Sequence, residues 1–354
     1  MSEQSPAEQM KNDIRNLQSS LRDLQSSVRM SEVRDQVEDV GTLVHGMDRR
    51  IISLRERGYA FEKDLEEKAA DLQKEWARIA PDLQEQIEKE AEALKRSLRP
   101  LERQISQLAG ESGHPKALQP RVNELKPKLE SLENRVEAAE RSIHGMYDQF
   151  SSEVHRAEHH LDELDWMLTE LSEASFDLLA TESGVMAVKA VWAKSGKKRK
   201  EDPQGVLYLT DQRLIFEQKE KVTTKKVLFV PTEKELVQEM LWDVPLALIE
   251  ETKSRKEGFL NKDDYIEVRM GSGAPFDVVH LHIWQPGDDW IALINRAKAK
   301  EFDATRAIPI DEEAVEKVKE APTKCPNCGA VIDQVVLRGM ESITCKYCGS
   351  VIRL

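Results

Sequence analysis

Between Val122 and Leu171, apolar residues recur at Val122, Leu125, Leu129, Leu132, Val136, Ala139, Ile143, Met146 and Phe150, with gaps that alternate three and four. That spacing draws one narrow apolar stripe along a helix, and such a stripe has to be covered by another helix. After Phe150 one extra gap of four leads to Val154, Ala157, Leu161, Leu164, Leu168 and Leu171. A stutter of this kind relaxes a supercoil without ending the helix. At 1.5 Å per residue the stretch makes a rod of roughly 75 Å. No globular core holds an element of that length, so the rest of the chain has to supply partner helices or domains mounted on the rod.

Upstream, Ile14, Leu17, Leu21, Leu24 and Val28 keep the same spacing. Val33, Val37, Val40, Val44, Met47, Ile51 and Leu54 repeat it in a shifted frame, which predicts a break near Met30 and Ser31. A third helix reads from Phe61 to Leu108, with kinks expected at Pro81 and Pro100 because each removes a backbone donor and crowds the preceding turn. The glycines and prolines of Ala109 to Pro120 predict a turn. The third and fourth helices are therefore expected to fold back as an antiparallel hairpin.

Nearly all of the net charge of −13 falls in residues 1–180, on the helices. An acidic chain of this kind is a poor non-specific binder of nucleic acid, since phosphate contacts need a basic face. The start, MSEQSPAEQM, lacks a basic segment followed by an apolar run, and no apolar run reaches about 18 residues. The expected location is cytoplasmic. All four cysteines lie in the last 30 residues, and without an export signal their pairing points to metal rather than disulfides.

His155, Glu158 and His159 spell H-x-x-E-H, the order in which two histidines hold zinc and a glutamate activates water in inverted zinc peptidases. The neighbouring Val154, Ala157 and Leu161 belong to the stripe, which leaves His159 and His160 toward solvent, without a water-excluding cleft or a third ligand. The chain is read as non-enzymatic, with this pattern a chance product of a charged helix.

From about Ser175 the helical period gives way to alternation. Strands are predicted at Val185–Ala193, Gly205–Thr210, Arg213–Glu217, Val227–Val230, Leu246–Thr252, Tyr265–Met270 and Phe276–Ile283. A closing helix follows at Asp288–Lys300, with Asp288 or Asp289 as its cap. Thr232 and Glu235 make a capping box ahead of Leu236, Val237, Met240 and Leu241, which predicts a short inserted amphipathic helix. His280 and His282 share one side of their strand and are expected on an exposed sheet face. Gly271-Ser-Gly273 reads as a turn, not a phosphate cradle.

The run Gly205-Val-Leu-Tyr-Leu-Thr-Asp-Gln-Arg-Leu-Ile-Phe216 resembles the second and third strands of a GRAM or pleckstrin-homology-like domain. Trp242 to Ile249 resembles the lead into that family's next strand, and Trp290 stands where its closing helix carries an aromatic. The resemblance covers about 120 residues and implies a small antiparallel β-barrel or sandwich plugged by its C-terminal helix, one that docks on acidic lipid or on protein. In lipid-binding members the first two strands are joined by a basic loop. Here that loop carries Lys194, Lys197, Lys198, Arg199 and Lys200. Each cation contributes on the order of 1 kcal/mol of attraction to an anionic leaflet. The alternative is a solvated hairpin tip or a protein contact, and Glu201 and Asp202 dilute the charge.

Residues 303–323 are charged, contain Pro309 and Pro322, and read as a linker. Cys325-Pro-Asn-Cys328-Gly and Cys345-Lys-Tyr-Cys348-Gly then form two knuckles whose thiolates close one tetrahedral site. Short strands are expected at Ala330–Leu337, Ser342–Lys346 and Ser350–Arg353. So small a segment buries too little apolar area to fold unaided, so the metal, read as structural Zn²⁺, supplies the stability. The pattern resembles a zinc ribbon, and the same knuckles hold iron in rubredoxins.

The expected chain is thus a multidomain α + β protein. Helices fill 1–58, a long coiled-coil hairpin 59–175, the PH/GRAM-like domain 176–302, a linker 303–323 and a zinc ribbon 324–354. It is read as an adaptor or scaffold that forms homo-oligomers through the coiled coil and contacts protein partners or, peripherally, an anionic membrane. One alternative is a nucleic-acid-associated factor working through the ribbon, where Tyr347 is the one aromatic for stacking. Another is a membrane-remodelling helical hairpin of the phage-shock or endosomal-sorting type, which the helical half resembles in shape and charge.

Overall fold

The computed structural model describes residues 5–111, 113–227, 230–258 and 262–354. The protein is mixed α and β, with long helices and an antiparallel seven-stranded sheet. It divides into two compact units, Met1–Asp48 with Glu67–Glu158, and Arg49–Glu66 with His159–Leu354.

The helices are α1 (Pro6–Ser27), α2 (Ser31–Glu56), α3 (Leu65–Gly110) and α4 (Pro115–Ser172); the first unit takes α1, α2 as far as Asp48, α3 from Glu67 and α4 as far as Glu158. Ser5 and Glu8 cap α1 reciprocally, each side chain accepting the other's backbone N–H. The break falls where the shift of frame predicts, with Met30 held at a φ of 52° and buried between α1 and α2. A non-glycine residue in that region is uncommon, and burial of the side chain is what holds it there. Both α3 and α4 run through their internal prolines, so Pro81, Pro100 and Pro120 interrupt neither helix.

Partner contacts give the helix directions. Gln25 donates to Glu102 at 2.7 Å and Gln73 to Asp48 at 2.9 Å, so α1 and α2 together run antiparallel to α3. Arg135 donates to Ser97 at 3.0 Å and Trp76 stacks on Phe150 at 5.7 Å, so α3 and α4 are also antiparallel. Leu17 lies beside Val122 and Leu129, which makes the broken pair α1–α2 the third strand of a bundle. Gly41 is required there, since a Cβ would stand 2.9 Å from the Trp76 ring. Most stripe residues of the four helices are buried within one chain, with Leu83, Ile143 and Val154 wholly so, while Ile14, Leu72, Ile79, Ala157 and Leu171 are half-buried. The apolar seam alone therefore does not call for a second copy. One stripe position is corrected: Met146 is exposed, and Tyr147 takes its place in the seam.

In the second unit the sheet comprises β1 (Gly184–Trp192), β2 (Gln204–Thr210), β3 (Arg213–Val227), β4 (Val230–Pro245), β5 (Ile249–Glu257), β6 (Asp263–Met270) and β7 (Val278–Ile283). Its order is β4-β3-β2-β1-β7-β6-β5. The expected barrel is not closed: β4 and β5 are the two edges of the sheet and, among the described residues, no ladder pairs them, although only the short turn Leu246–Leu248 connects them. The expected inserted helix at Thr232–Leu241 is instead part of β4, paired with β3 from Arg213↔Pro245 to Val227↔Val230. Leu228 and Phe229 of the expected strand Val227–Val230 lie outside the described residues; Val227 and Val230 end β3 and begin β4. The closing helix α5 (Gly287–Lys298) packs on β5 and β6 through Trp290, Ile294 and Ala297. Neither Asp288 nor Asp289 caps it; the Gly287 N–H is taken by Asp264 at 3.0 Å.

The end of α4 is tied to the sheet. Lys219 reaches Glu170 and Glu173, both at 2.8 Å, and Gln238 donates to the Glu173 carbonyl at 2.6 Å. Beneath them the buried Glu217 accepts from the Tyr208 hydroxyl at 2.8 Å and the Ser175 N–H at 2.6 Å. Burial and that carboxylate push the Tyr208 phenol far up.

The segment read as a linker is partly anchored. After α6 (Glu301–Ala304), Arg306 bonds Asp211 and lies over the Phe61 ring, while Ala307 donates to the Ala60 carbonyl at 2.8 Å. A short helix, α7 (Glu312–Glu320), follows and buries none of its residues. In the cysteine module only β8 (Ser342–Thr344) and β9 (Val351–Arg353) form a ladder, and the expected strand Ala330–Leu337 is absent. Its far end does other work. Ala180 donates to the Val336 carbonyl at 3.0 Å and Arg338 to the Leu178 carbonyl at 2.8 Å, so the module is joined to the segment leading into β1. That segment carries Glu182, which is fully buried and receives Arg213 at 2.7 Å and Thr210 at 2.6 Å.

Candidate functional site

Two groups of side chains stand out, the cysteine cluster and the loop between β1 and β2. In the first, each knuckle is a tight turn closed by the same pair of bonds. Gly329 donates to the Cys325 carbonyl at 2.8 Å, and Cys325 to the Ala330 carbonyl at 2.8 Å. Gly349 donates to the Cys345 carbonyl and Cys345 to the Ser350 carbonyl, both at 2.9 Å. The glycines sit at φ of 72° and 73°, where a side chain would strain the backbone.

The knuckles bring Cys325, Cys328, Cys345 and Cys348 together, with ligand atoms within 4.8 Å of one another. Across the site, Cys325 and Cys348 are 3.7 Å apart at sulfur, as are Cys328 and Cys345. A tetrahedral ion with metal–sulfur bonds of about 2.3 Å has sulfur–sulfur edges of about 3.8 Å. The donor set therefore fits one tetrathiolate metal ion. Among the described residues no other group of three or more His, Cys, Asp or Glu is placed to share an ion.

The sequence reading missed the hydroxyl of Ser350, which lies 2.8 Å from the Cys348 sulfur and 3.5 Å from that of Cys325. Its bond is the largest influence lowering the Cys348 thiol to about 6, and it lowers Cys325 as well. At Cys328 the Ala330 N–H pulls down, but the neighbouring sulfurs, Cys348 foremost, push the thiol up to about 12. Four thiols this close compete for protons, and a cation at their centre removes the competition. The only sequence signal for Ser350 is its place directly after the second knuckle glycine.

In the second group Lys194, Lys197, Lys198, Arg199 and Lys200 are all exposed. Lys197 lies 3.6 Å from Glu257, Lys194 sits over the Trp192 ring at 4.7 Å, and Lys198 over the Trp284 ring at 5.3 Å. The loop is held in place rather than left as a free tip. Arg255 bonds the Gly196 carbonyl, the Lys198 N–H reaches the Tyr265 hydroxyl at 3.4 Å, and the buried Asp202 accepts the Arg199 N–H at 2.7 Å. Asp202 thus points inward and dilutes the surface charge less than its place in the sequence suggests.

The histidines separate. His159 lies 3.6 Å from Glu163 and His160 2.9 Å from Glu62, while Glu158 is buried. His280 pairs with Glu267 at 3.6 Å. His282, expected on an exposed face, is buried against Tyr265 and Trp284, because β7 lies in the middle of the sheet with loops folded over its end. Among the described residues no helix is long and apolar enough to cross a membrane.

No protein-family model matches the chain, and no curated protein matches it. Among solved structures, it matches a DUF1696 family protein with a pleckstrin-homology domain from Shewanella loihica PV-4. The identity is 18%, the match covers 39% of this chain and 91% of that one, and the TM-score is 0.21. A score that low carries no argument about the head, whose architecture rests on its own strand order.

Proposed function

We propose that this protein is a non-enzymatic, zinc-stabilised docking adaptor. Its pleckstrin-homology-like head attaches to an anionic membrane surface, and its helices present other partners. The observation that carries the reading is the fixed loop between β1 and β2, whose five cations all face solvent, with a carboxylate within 4 Å of the charged group of only one of them, Lys197, among the described residues. Exposed, preorganised cations are what an anionic leaflet attracts, and an acidic chain gains such a patch only locally. Zinc is the proposed ion because four thiolates leave no open coordination position for catalysis and suit a structural role. The metal content of purified protein tests that part: about one zinc per chain supports it, and iron overturns it.

The docking test is co-sedimentation with neutral and anionic vesicles at two salt concentrations, beside a variant with Lys197, Lys198, Arg199 and Lys200 changed to Ser. Binding that needs anionic lipid, weakens in salt and disappears in the variant is the expected result. Equal pelleting by parent and variant, or none by the folded parent, rejects the lipid reading. A second reading, nucleic-acid contact through the cysteine module, is favoured by one observation: the exposed ring of Tyr347 beside the second knuckle. Retention of single-stranded RNA that is lost in Tyr347→Ala supports it.

A further inference from the structure

Trp284 follows the last residue of β7 and is 56% exposed, unlike Trp76, Trp242 and Trp290, which are buried. It is not a loose side chain. Its ring stands at 87° to the buried His282 ring with centroids 4.6 Å apart, and His282 in turn rests on Tyr265 at 5.1 Å. Tyr265 is the residue whose hydroxyl takes the Lys198 N–H, and Arg255 covers its ring at 5.1 Å while bonding the loop at Gly196. A chain of edge-to-face rings therefore holds one large indole out toward solvent, directly under the Lys198 ammonium.

We infer that Trp284 is the interfacial anchor of this head, set to enter the headgroup and upper acyl region of an anionic bilayer while Lys197, Lys198, Arg199 and Lys200 hold lipid phosphates around it. The inference rests on the docking reading above and adds the group that makes the ligand a lipid surface rather than a soluble anion. A free phosphate needs only the cations. An exposed indole gains nothing from phosphate, but it gains at an interface, where its apolar body leaves water and its N–H stays among headgroups.

Charge complementarity supports the same occupant. Glu257 is held by Arg255 at 3.1 Å and by Lys197, and Asp202 is turned inward, which leaves Glu201 as the exposed acid within the loop. On the loop side the surroundings of Trp284 are thus cationic in a chain of net charge −13, while Asp263, 3.4 Å from His282 and 45% exposed, is the acid beside the ring that supports it. Trp192, with Lys194 over its ring, backs the same loop, but it packs against Phe216, Trp242 and Phe276 and belongs to the sheet interior.

The test uses the full zinc-loaded chain, anionic vesicles whose acyl chains carry bromine near the headgroup, and the indole fluorescence of the parent and of Trp284→Phe. Phenylalanine keeps an aromatic ring on His282, and far-ultraviolet circular dichroism with metal content confirms that the variant folds. The expected result is bromine quenching in the parent that is lost in Trp284→Phe, together with about tenfold weaker vesicle binding by Trp284→Ala. Quenching and affinity unchanged in both variants overturn the anchor while leaving cation-driven docking intact. Failure of the parent to bind anionic vesicles overturns docking and anchor together, so the two failures are distinguishable.

Discussion

In the helical bundle, buried apolar residues recur along four helices, from Leu17 through Val44 and Leu83 to Ile143. In residues 324–354 the buried set is Val336, Ile343 and two of the cysteines, and Val331, Val335 and Val351 are exposed. The bundle is thus held by area removed from water, whereas the module has too little such area, and its four clustered cysteines could hold an ion that supplies the rest. Stability of the first kind is spread over many residues and lost in increments. Stability of the second kind is concentrated at four sulfur atoms and lost at once.

The largest expected effect follows from that contrast. With zinc as the proposed ion, a strong chelator or Cys345→Ser is expected to unfold the cysteine module outright, since structural zinc supplies on the order of 10 kcal/mol or more to such modules. Amide exchange at Ile343 and Thr344 becomes unprotected. So does exchange at Ala180, whose partner is the Val336 carbonyl. The helical signal at 222 nm stays. Loss of the helical signal on chelation would break the comparison, because it would mean that the bundle also depends on the ion.

A smaller effect is expected on the other side. Leu83→Ala removes a wholly buried side chain and costs about 2–5 kcal/mol, read as a lower urea midpoint at 222 nm. Val335→Ala in the module, where the side chain is exposed, shifts metal-loaded stability by less than about 0.5 kcal/mol. If the two substitutions cost the same, apolar burial does not distinguish the two regions.

The same contrast explains what the sequence discloses. Knuckle spacing is local, and so is a helical stripe, so the four-cysteine cluster and the four long helices can be read directly. A stripe says that a helix needs a partner but not which one, and so α1 and α2 as the third strand of the bundle could not be read. β4 does not declare itself as a strand because it is an edge strand whose one neighbour is β3, and Leu236 on it is exposed. The sequence of this hairpin carries no clear apolar alternation, and Thr232 with Glu235 imitates a helix cap. The supposed linker failed in another way. Arg306 reads as a solvated charge until the fold brings Asp211 and Phe61 to it.

The smallest expected effect sharpens the comparison inside the head. Burial is the chief cause holding the His282 imidazole below its usual range, and the Lys198 ammonium adds to it; Asp263 at 3.4 Å and Asp264 oppose both. A base whose folded pKa is depressed is neutral in both states at high pH, so its contribution is complete above the unfolded value of about 6.5. As pH falls below that, the unfolded chain takes the proton first, and stability drains away until the folded pKa is passed. Amide exchange at Val279 and Leu281, on the same strand, is therefore expected to accelerate as pH falls below about 6.5, and His282→Phe to flatten that slope. A slope equally steep in His282→Phe would assign the acid sensitivity to another group. Because His282 also props Trp284 and lies near Lys198, the same protonation places a positive charge under the anchor. The pH dependence of vesicle binding would then separate head stability from surface charge: stability falls with acid, while attraction to an anionic leaflet rises.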